Sequence, residues 1–512
     1  MITLQEVSNA LGVDLGNIYG KFSDISMHSD RSGPDVLFLA IPSIRYTAKD
    51  VTYMAWKKGT RVVLAWGNEY RYFENSDQPG QICIFQNLPK NTVHILGRLF
   101  YPCRPSLKCA VTGTNGKTST VFFLSQLWQT SKKSWVSMGT LGTQGSLHID
   151  FPTSNINTAD YLTLSCALHK SAQQGVGCFA YEASSHGLHQ NRVPQDAVDV
   201  GIWTSFSQDH LDYHKTMQDY WQAKASLGKL CCKAWLVNDK VFQYRKILEK
   251  GRESNDSLSQ KNFENILDYS LKSACPLLRY GLGNKTSLWG QCTIHKQHYH
   301  HTKVSIRIDG YVWNGTVPWI GSFQCENLVA SLGAFYLLGG SLDDAFEAIS
   351  SGHISAPPGR LERVSDGPAG GGIYIDYAHT PDGLYQVLKA LRALNPKKLG
   401  VIFGCGGERD TGKREKMGKI AKDNADWVIL TDDNPRFEDP EKILDDIQKG
   451  CPLAQRIRCR SAAIRAGISS MKQDHIILIA GKGHEAFQWI GSDRIAFQDR
   501  EVVEEYLGLS SV

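Results

Sequence analysis

The sequence has no long hydrophobic run, no paired cysteine motif and no strong excess of charge of one sign. Its longest apolar stretches, such as HIILIAG and GVIFGC, are far shorter than the roughly 20 residues that a membrane-spanning helix needs. The N-terminal stretch MITLQEVSNALG lacks the basic and apolar segments of a signal peptide. We therefore expect a cytoplasmic protein without a membrane span.

The thiols and the charge also argue against several classes of protein. The 13 cysteines form no C-x-x-C pair, and the adjacent Cys231 and Cys232 are poorly placed for a zinc clamp or a mutual disulfide. Most cysteines are expected to be buried small side chains in a reducing compartment. A net charge of +5 over 512 residues permits acidic ligands but does not indicate a nucleic-acid surface.

What the sequence does contain is an alternation of apolar strands and helical segments, which predicts mainly parallel sheets covered by helices. Strands are predicted at DVLFLAI, LKCAVTG, GVGCFAYEAS and AVDVGIWTSF. KVSIRIDGYVWNGTV predicts a hairpin at Asp309–Gly310, and the polar Leu248–Lys261 segment predicts a surface excursion. Four later strands end in the polar loops of GIYIDYAHT, LGVIFGCGG, DWVILTDDN and DHIILIAGKG, where open sheets bind ligands.

The loop GTNGKTS has the composition of a phosphate-binding loop between a strand and an amphipathic helix. Gly113 and Gly116 allow backbone N–H groups to point at a phosphate, Lys117 can reach its oxygens and Thr118 can ligate Mg²⁺. Val111 stands where the common G-x-x-x-x-G-K pattern has its first glycine, so the loop is a shorter variant. The predicted nucleotide-binding residues are Gly113, Thr114, Asn115, Gly116, Lys117, Thr118 and Ser119.

This short loop and eight further blocks, in order, resemble the Mur ligase family, whose members are ATP-dependent enzymes that build the peptide of bacterial cell-wall precursors. The blocks are YEASSHGLHQNRV, FSQDHLDYH, YWQAKASL, PPGRLE, IDYAHTPD, FGCGGERDTGKR, TDDNPR and AGKGHE. The sequence is most similar to the members that join a diamino acid to UDP-N-acetylmuramoyl-L-alanyl-D-glutamate. The resemblance implies an α/β fold of three domains and a monomer. The domains are a UDP-binding domain (1–104), a central ATP-binding domain with a parallel P-loop sheet (105–353) and a Rossmann-like amino-acid-binding domain (354–512), with a joint near Ala356–Arg360.

The resemblance also implies a reaction. ATP phosphorylates the substrate carboxylate, the amine attacks the acyl phosphate, and a tetrahedral intermediate expels phosphate. Lys224 would be carbamylated, which converts a cation into an anion that can help to hold magnesium or phosphate. The implied catalytic residues are Lys117, Glu182, His210 and Lys224, the implied Mg²⁺ ligands are Thr118, Glu182, His210 and Lys224, and the further ATP contacts are Asn327, Arg360, Asp376 and His379.

The UDP-substrate site carried over from the family departs from its usual pattern in two places. SNINTADY stands where the family has consecutive threonines and a proline, and the N-terminal D-S-R motif is present only as HSDR. Arg192 is suited to an anionic group. The implied contacts are Met27, Ser29, Ile44, Arg45, Tyr46, Asn157, Thr158, Ser184, Gln190 and Arg192.

The TDDNPR loop predicts which amine is used. Arg436 offers a planar fork for a carboxylate, whereas Asp433 and Asn434 can accept an ammonium. This combination fits the distal end of meso-diaminopimelate. Lysine has no second carboxylate and would leave Arg436 unpaired, at a cost of roughly several kcal/mol. The implied diaminopimelate site is Arg409, Asp433, Asn434, Pro435, Arg436, Gly481 and Glu485.

Other interpretations stay open at this point. A folylpolyglutamate synthetase would share the loop and the acyl-phosphate route, but DNPR and SSHGLHQNRV argue against it. A catalytically silent nucleotide-sugar-binding protein and a P-loop nucleic-acid motor are alternatives from other classes. His295–His301 favours an exposed strand over a metal site, and KREKMGK favours a solvated helix face over a nucleic-acid contact.

Overall fold

The structure, a computed structural model, describes residues 1–14, 20–42, 46–66, 81–85, 89, 91–149, 158–250, 275–367 and 371–509. Three α/β domains follow one another along the chain, each built on its own main sheet. This confirms the expected fold class. The strands of each main sheet fall within the predicted boundaries, but the boundaries themselves stay predictions.

The N-terminal domain contains a four-stranded parallel sheet of order β3-β4-β5-β6. The predicted DVLFLAI strand is present as β4. The elements are β1 (Ile2–Thr3), α1 (Leu4–Leu11), β2 (Lys21–Phe22), β3 (Asp24–Ser26), a 3₁₀ turn (Ser29–Arg31), β4 (Val36–Leu39), α2 (Ala48–Lys57), β5 (Val62–Trp66), β6 (Gln81–Phe85) and α3 (Thr92–Phe100).

The first half of the central domain carries the predicted phosphate loop between β7 and α4. The elements are β7 (Leu107–Thr112), α4 (Lys117–Thr130), β8 (Trp135–Gly139), β9 (Gly142–Gly145), α5 (Tyr161–Gln173), β10 (Cys178–Glu182), α6 (Ser185–His189), β11 (Val200–Trp203), α7 (Leu211–His214), α8 (Met217–Ala225) and a 3₁₀ turn (Ser226–Lys229).

The second half completes a ten-stranded sheet of order β16-β15-β14-β13-β12-β11-β7-β10-β8-β9. The strands from β14 to β8 in that order are parallel, as predicted, whereas the pairs β14–β15, β15–β16 and β8–β9 are antiparallel. The central sheet is therefore mixed and not wholly parallel. The elements are β12 (Ala234–Asn238), α9 (Asp239–Lys250), β13 (Leu277–Leu282), β14 (Gly290–Gln297), β15 (Thr302–Ile308), β16 (Tyr311–Val317), α10 (Ser322–Leu337) and α11 (Leu342–Ser350).

The C-terminal domain has a six-stranded sheet of order β17-β18-β22-β19-β20-β21, parallel except for β17. All four predicted loop-ending strands are present. The elements are β17 (Glu362–Ser365), β18 (Gly372–Asp376), α12 (Pro381–Arg392), β19 (Lys398–Phe403), α13 (Gly412–Asn424), β20 (Trp427–Leu430), α14 (Pro440–Gln448), β21 (Gln455–Arg456), α15 (Arg460–Ser469), β22 (His475–Ala480), β23 (Phe487–Ile490), β24 (Asp493–Ala496) and α16 (Asp499–Leu507).

The apolar face predicted for the helix after the phosphate loop forms part of the central core. Val121, Leu124, Leu127 and Trp128 are all buried on α4, which packs against α10. Burial of such side chains contributes roughly 1.5–3 kcal/mol each. This packing anchors the N-terminus of α4, and with it the loop, at the carboxyl edge of the sheet.

The sheet register brings the functional loops of the central domain together. In β10, Glu182 pairs with Val111 of β7. In β11, Trp203 pairs with Thr112 of β7. The loops after these three parallel strands therefore emerge side by side at the same edge, next to the glycine turn at 113–116.

Several composition-based expectations have a clear outcome. The hairpin at Asp309–Gly310 joins β15 to β16. Most described cysteines are buried, and none of them is in a disulfide. Within the described ranges no helix combines the length and the apolar character that crossing a membrane requires.

The prediction that the KREKMGK segment forms a solvated helix face is only partly correct. It lies on α13, where Arg414 is 1% exposed. The Arg414 guanidinium donates to both carboxylate oxygens of Glu438, at 2.7 and 2.8 Å, and to Asp446 at 3.1 Å. A sequence pattern of alternating charges does not distinguish such a buried, paired arginine from an exposed one.

Candidate active site

The phosphate loop is organised around the carbonyl oxygen of Gly113. Lys117 Nζ donates to this oxygen at 2.8 Å, and Lys224 Nζ donates to it at 2.7 Å. Lys117 Nζ also donates to the Thr114 carbonyl at 3.0 Å. Gly113 and Gly116 have φ angles of 150° and 87°, which favour glycine. Two residues predicted from separate blocks, Lys117 and Lys224, therefore meet at one backbone atom.

Both lysines lie where a positive charge is costly. Lys224 is 1% exposed. Burial, together with repulsion from Lys117, lowers the pKa of Lys224 well below its usual value. Burial also lowers the pKa of Lys117, although the Glu182 and Asp209 carboxylates oppose this effect. An anion placed between the two lysines would relieve their repulsion.

Glu182 lies beside the loop as the strand register requires, and it is 1% exposed. Thr118 Oγ1 donates to Glu182 Oε1 at 3.0 Å, and the Thr140 amide donates to the same oxygen at 2.7 Å. Arg360, from the C-terminal side of the chain, donates through Nη2 to Thr118 Oγ1 at 3.0 Å. A hydroxyl and a carboxylate are the oxygen ligands that Mg²⁺ prefers.

His210 occupies a left-handed backbone position, with φ of 53°, at the start of α7. Its backbone amide donates to Asp209 Oδ1 at 2.9 Å, and its Nε2 lies 3.4 Å from Asp209 Oδ2. Burial lowers the pKa of His210. A neutral imidazole at neutral pH retains the lone pair that a metal ligand needs.

A cavity of about 960 Å³ lies between the central and C-terminal domains. The predicted ATP-binding residues on its wall are Asn115, Gly116, Ser119, Asn327, Arg360, Asp376 and His379. Burial raises the pKa of Asp376 to about 6 and lowers the pKa of His379 to about 4. Asp376 accepts the backbone amides of Leu361 and Ala378, at 2.5 and 2.7 Å, so it also fixes the interdomain joint.

A second cavity, of about 1320 Å³, shares several wall residues with the first. Thr114, Lys117, Thr118, Glu182 and His210 line its central-domain side. Six of the seven predicted diaminopimelate residues line its opposite side, namely Arg409, Asp433, Asn434, Arg436, Gly481 and Glu485. The phosphate loop and the TDDNPR loop thus face the same space, although about 300 residues separate them in sequence.

Arg436 lies in the second cavity in a left-handed conformation, with φ of 55°. Its backbone N–H donates to the Trp489 carbonyl at 3.1 Å, and its carbonyl accepts the Gly491 N–H at 2.7 Å. Its guanidinium donates through Nη1 to the Gly407 carbonyl at 2.7 Å. Burial, and then the nearby Arg409, lowers the pKa of Arg436, so an anionic ligand would be favourable here.

Asn434 is placed differently from the expectation that its amide accepts a ligand ammonium. Its Oδ1 accepts Lys482 Nζ at 3.1 Å and the Trp489 amide at 3.0 Å. Its Nδ2 donates to Glu485 Oε2 at 2.9 Å. The Asn434 side chain is thus engaged by the protein. Pro435 contributes its carbonyl to the Glu438 amide at 3.1 Å.

Seven of the ten predicted UDP-substrate residues belong to the described chain, and Ile44, Arg45 and Asn157 lie outside it. Thr158, Ser184, Gln190 and Arg192 form one cluster: Arg192 donates to the Thr158 carbonyl at 3.0 Å and to Gln190 Oε1 at 2.9 Å, and the Ser184 amide donates to Thr158 Oγ1 at 2.7 Å.

The N-terminal candidates lie on a segment that docks against α5. His28 stands between Met27 and Ser29 in the sequence, and its Nε2 lies 2.9 Å from Asp160 Oδ2. Arg31 Nη1 donates to Thr163 Oγ1 at 2.8 Å. Tyr46 is 47% exposed. The segment thus approaches the central domain at the N-terminal end of α5.

Sequence reasoning missed several residues at the two cavities. The missed residues with polar side chains include Thr140, Asp209, Lys413 and Tyr377 on the cavity walls and Lys482 behind them. Lys413 belongs to the run interpreted as a solvated face. Asp209 and Lys482 lie inside blocks quoted for the family resemblance, QDH and GKGHE, but single charged residues there carry no signal for burial.

Comparisons with known proteins agree with this geometry. Residues 111–335 match the Mur ligase middle domain, and residues 359–483 match the Mur ligase, glutamate ligase domain. The UDP-N-acetylmuramoyl-L-alanyl-D-glutamate--2,6-diaminopimelate ligase of Rickettsia bellii is 38% identical over 82% of this chain and 84% of its own. The same-named protein of Rickettsia prowazekii is 34% identical over 95% of this chain and 96% of its own.

A solved structure with the same ligase name covers 98% of this chain and 98% of its own, at 27% identity and a TM-score of 0.62. The likeness therefore extends through all three domains, including the N-terminal one, which neither domain match covers.

Replacing Gly113 with alanine is expected to weaken nucleotide binding by about 100-fold, as misplacement of a positioned loop can. The added Cβ would overlap Thr204 Oγ1, so the loop must move and carry the Gly113 carbonyl away from the two lysines. Titration with ATP, followed by calorimetry, measures the effect.

The matched control is Gly142→Ala. Gly142 also has a positive φ, 78°, but an added Cβ there meets nothing within 4 Å. Gly142→Ala should introduce a little backbone strain and leave ATP affinity within about threefold of that of the original protein. Equal losses in the two variants would contradict the role assigned to the Gly113 loop.

Proposed function

The chain belongs to the Mur ligase family, and we propose that it performs the reaction for which its relatives are named. It adds 2,6-diaminopimelate to UDP-N-acetylmuramoyl-L-alanyl-D-glutamate, forming an amide at the expense of ATP in peptidoglycan precursor synthesis. The expected isomer is meso-diaminopimelate.

One observation carries this proposal: the phosphate loop and the TDDNPR loop line a single cavity. An amide ligase that works through an acyl phosphate must hold a terminal phosphate, a carboxylate and an amine within reach of one another. The wall supplies cations for the phosphate at Lys117, a carboxylate-binding guanidinium at Arg436 and an ammonium-binding carboxylate at Glu485. The substrate carboxylate would lie between them.

The chain's residues divide the work by position. Lys117 and Arg360 stabilise negative charge on the phosphoryl group while it moves from ATP to the substrate carboxylate. The amine then attacks the acyl carbon, the tetrahedral intermediate collapses, and phosphate leaves with one carboxylate oxygen. Thr118, Glu182 and neutral His210 line this cavity and would hold Mg²⁺, which would neutralise charge on the phosphates when bound.

We infer that Lys224 is carbamylated. An amine reacts with CO₂ only in its neutral form, giving a carbamate and releasing a proton, and the buried site lowers the pKa of Lys224 well below its usual value. The product replaces one of two adjacent cations by an anion, which removes the repulsion from Lys117. A carbamate oxygen would also give Mg²⁺ a further ligand, whereas an ammonium would repel it.

Lys224→Arg is the test of the modification, because arginine keeps the positive charge and is not neutral in proteins. We expect the enzyme equilibrated with ¹³C-bicarbonate to show a carbamate carbon signal by NMR, and Lys224→Arg to lack it and to lose most ligase activity. Lys215→Arg, on the exposed α7 end, is the control and should change neither. A carbamate signal that survives in Lys224→Arg would contradict the assignment.

The amine is tested by following phosphate release from ATP with the UDP-muramoyl dipeptide and meso-diaminopimelate, lysine or no amine. Diaminopimelate is expected to be the preferred acceptor. Arg436→Ala should lower kcat/KM for diaminopimelate by about 100-fold, equivalent to roughly 3 kcal/mol, because a carboxylate loses its charged partner. The preference over lysine should shrink accordingly.

Arg458→Ala is the matched control, since Arg458 is a half-exposed arginine that pairs with Asp432, the residue before Asp433. It should leave the amine preference unchanged. If lysine is the better acceptor in the original enzyme, the choice of amine is wrong; if Arg436→Ala keeps the preference, only the proposed pairing is wrong.

The same assay separates the alternatives. A folylpolyglutamate synthetase would use a folate acid and glutamate in place of these substrates, and a silent nucleotide-sugar-binding protein would release no phosphate with any amine. We place the reaction in the cytoplasm as part of the proposal. The exposed free thiols of Cys103, Cys232 and Cys459 support a reducing compartment.

A further inference from the structure

A buried lysine lies directly behind the amino-acid side of the second cavity. Lys482 follows β22, and its side chain is 0% exposed. It lies inside the AGKGHE block but is neither one of the implied site residues nor part of the cavity walls. Burial of a lysine is expensive unless its charge is paired and its donors are satisfied.

The three N–H donors of the Lys482 ammonium have three protein acceptors. Nζ donates to Asn434 Oδ1 at 3.1 Å, to Glu485 Oε2 at 2.9 Å and to the Phe487 carbonyl at 2.6 Å. An ammonium has three donors and no acceptor, so this set uses its full capacity. Lys482 therefore has no donor left for a ligand and can act only through its neighbours.

The Asn434 amide is held in one orientation by the same contacts. Its Oδ1 receives Lys482 Nζ and the Trp489 N–H, which fills both lone pairs. Its Nδ2 then points to Glu485 Oε2, 2.9 Å away. A flipped amide would place Nδ2 against two donors, so Lys482 and the Trp489 N–H together determine which way this side chain faces.

Glu485 consequently has two unequal oxygens. Oε2 accepts both Lys482 Nζ and Asn434 Nδ2. Oε1 receives no hydrogen bond from the described part of the chain, and 31% of the Glu485 side chain is exposed at the cavity. Oε1 is thus the acceptor that a ligand ammonium can reach.

We propose that Lys482 is the positioning residue of the amine site: it fixes the Asn434 amide and turns Glu485 so that Oε1 receives an ammonium of diaminopimelate. This proposal rests on the proposed function. It makes Glu485, and not the Asn434 amide, the ammonium acceptor, and it predicts an effect confined to one of the three substrates.

Lys482→Met keeps the length and the apolar stem of the side chain and removes the ammonium. We expect KM for diaminopimelate to rise by about 10- to 100-fold, as loss of a group that orients a ligand-binding residue does in other sites. KM for ATP and KM for the UDP-muramoyl dipeptide should stay within about twofold of the original values. Steady-state phosphate release, with each substrate varied in turn, measures all three.

Two further variants keep the result interpretable. Lys108→Met is the matched control, because Lys108 is another largely buried lysine, 2.9 Å from the Asp199 carboxylate and 3.1 Å from the Pro105 carbonyl, in the central sheet. Lys108→Met should leave KM for ATP, for the UDP-muramoyl dipeptide and for diaminopimelate unchanged. Lys482→Gln keeps two donors but no charge, and it should also raise KM for diaminopimelate. It replaces Lys482→Met in the test if circular dichroism shows that Lys482→Met is not folded.

Each outcome decides between a positioning role and a merely structural one. A folded Lys482 variant with KM for diaminopimelate within twofold of the original, or with all three KM values raised alike, would overturn the proposal. Failure of both Lys482 variants to fold while Lys108→Met folds would also overturn it. An original enzyme inactive with diaminopimelate would contradict the proposed function itself; an active one with an unchanged Lys482 variant contradicts the Lys482 proposal alone.

Discussion

The side-chain nitrogens of Lys117 and Lys224 both donate to one carbonyl oxygen, that of Gly113, at 2.8 and 2.7 Å. Positive charges this close in a buried site would repel; burial lowers the pKa of each lysine, and Lys117 lowers that of Lys224 further. The site is therefore short of negative charge, which a nucleotide phosphate and a carbamate would supply. The positive φ of Gly113 and the strand register beside it hold this carbonyl in place.

The site is assembled from two domains. The phosphate loop is fixed to the central sheet, but the residues proposed to bind the amino acid lie at the carboxyl edge of the C-terminal sheet. Contacts across the gap join them: Arg360 donates to Thr118 Oγ1 at 3.0 Å, and Asn115 donates to Asp382 at 3.2 Å. Such contacts involve phosphate-loop residues directly, so nucleotide binding and domain arrangement are physically connected.

Strand ends and loops were predictable because parallel strands place their carboxyl ends at one edge, whatever the intervening sequence. The glycine turn at 113–116 and the loop ending at Arg436 are examples. The hairpin of β15 and β16 could be predicted from Asp309–Gly310, whereas β9 has the sequence GTQG, which has little strand-forming character. The mainly parallel character of the sheet was therefore expected, but the antiparallel strand β9 was not.

Burial of charged side chains could not be predicted in the same way. Lys482 and Arg414 look in sequence like surface residues, and only the packed structure supplies the acceptors that make their burial tolerable. The orientation of Asn434 likewise depends on Trp489, a residue 55 positions away. Residues that act through a neighbour leave no local pattern.

The central claim, that the terminal phosphoryl group of ATP is transferred to the substrate carboxylate before the amine attacks, is tested most directly by isotope transfer. The dipeptide substrate would carry ¹⁸O in its terminal carboxylate, and the phosphate released with diaminopimelate would be analysed by mass spectrometry. The account predicts one ¹⁸O atom in each phosphate, because the bond between the acyl carbon and the bridging oxygen breaks. Unlabelled phosphate formed together with the amide product would contradict it.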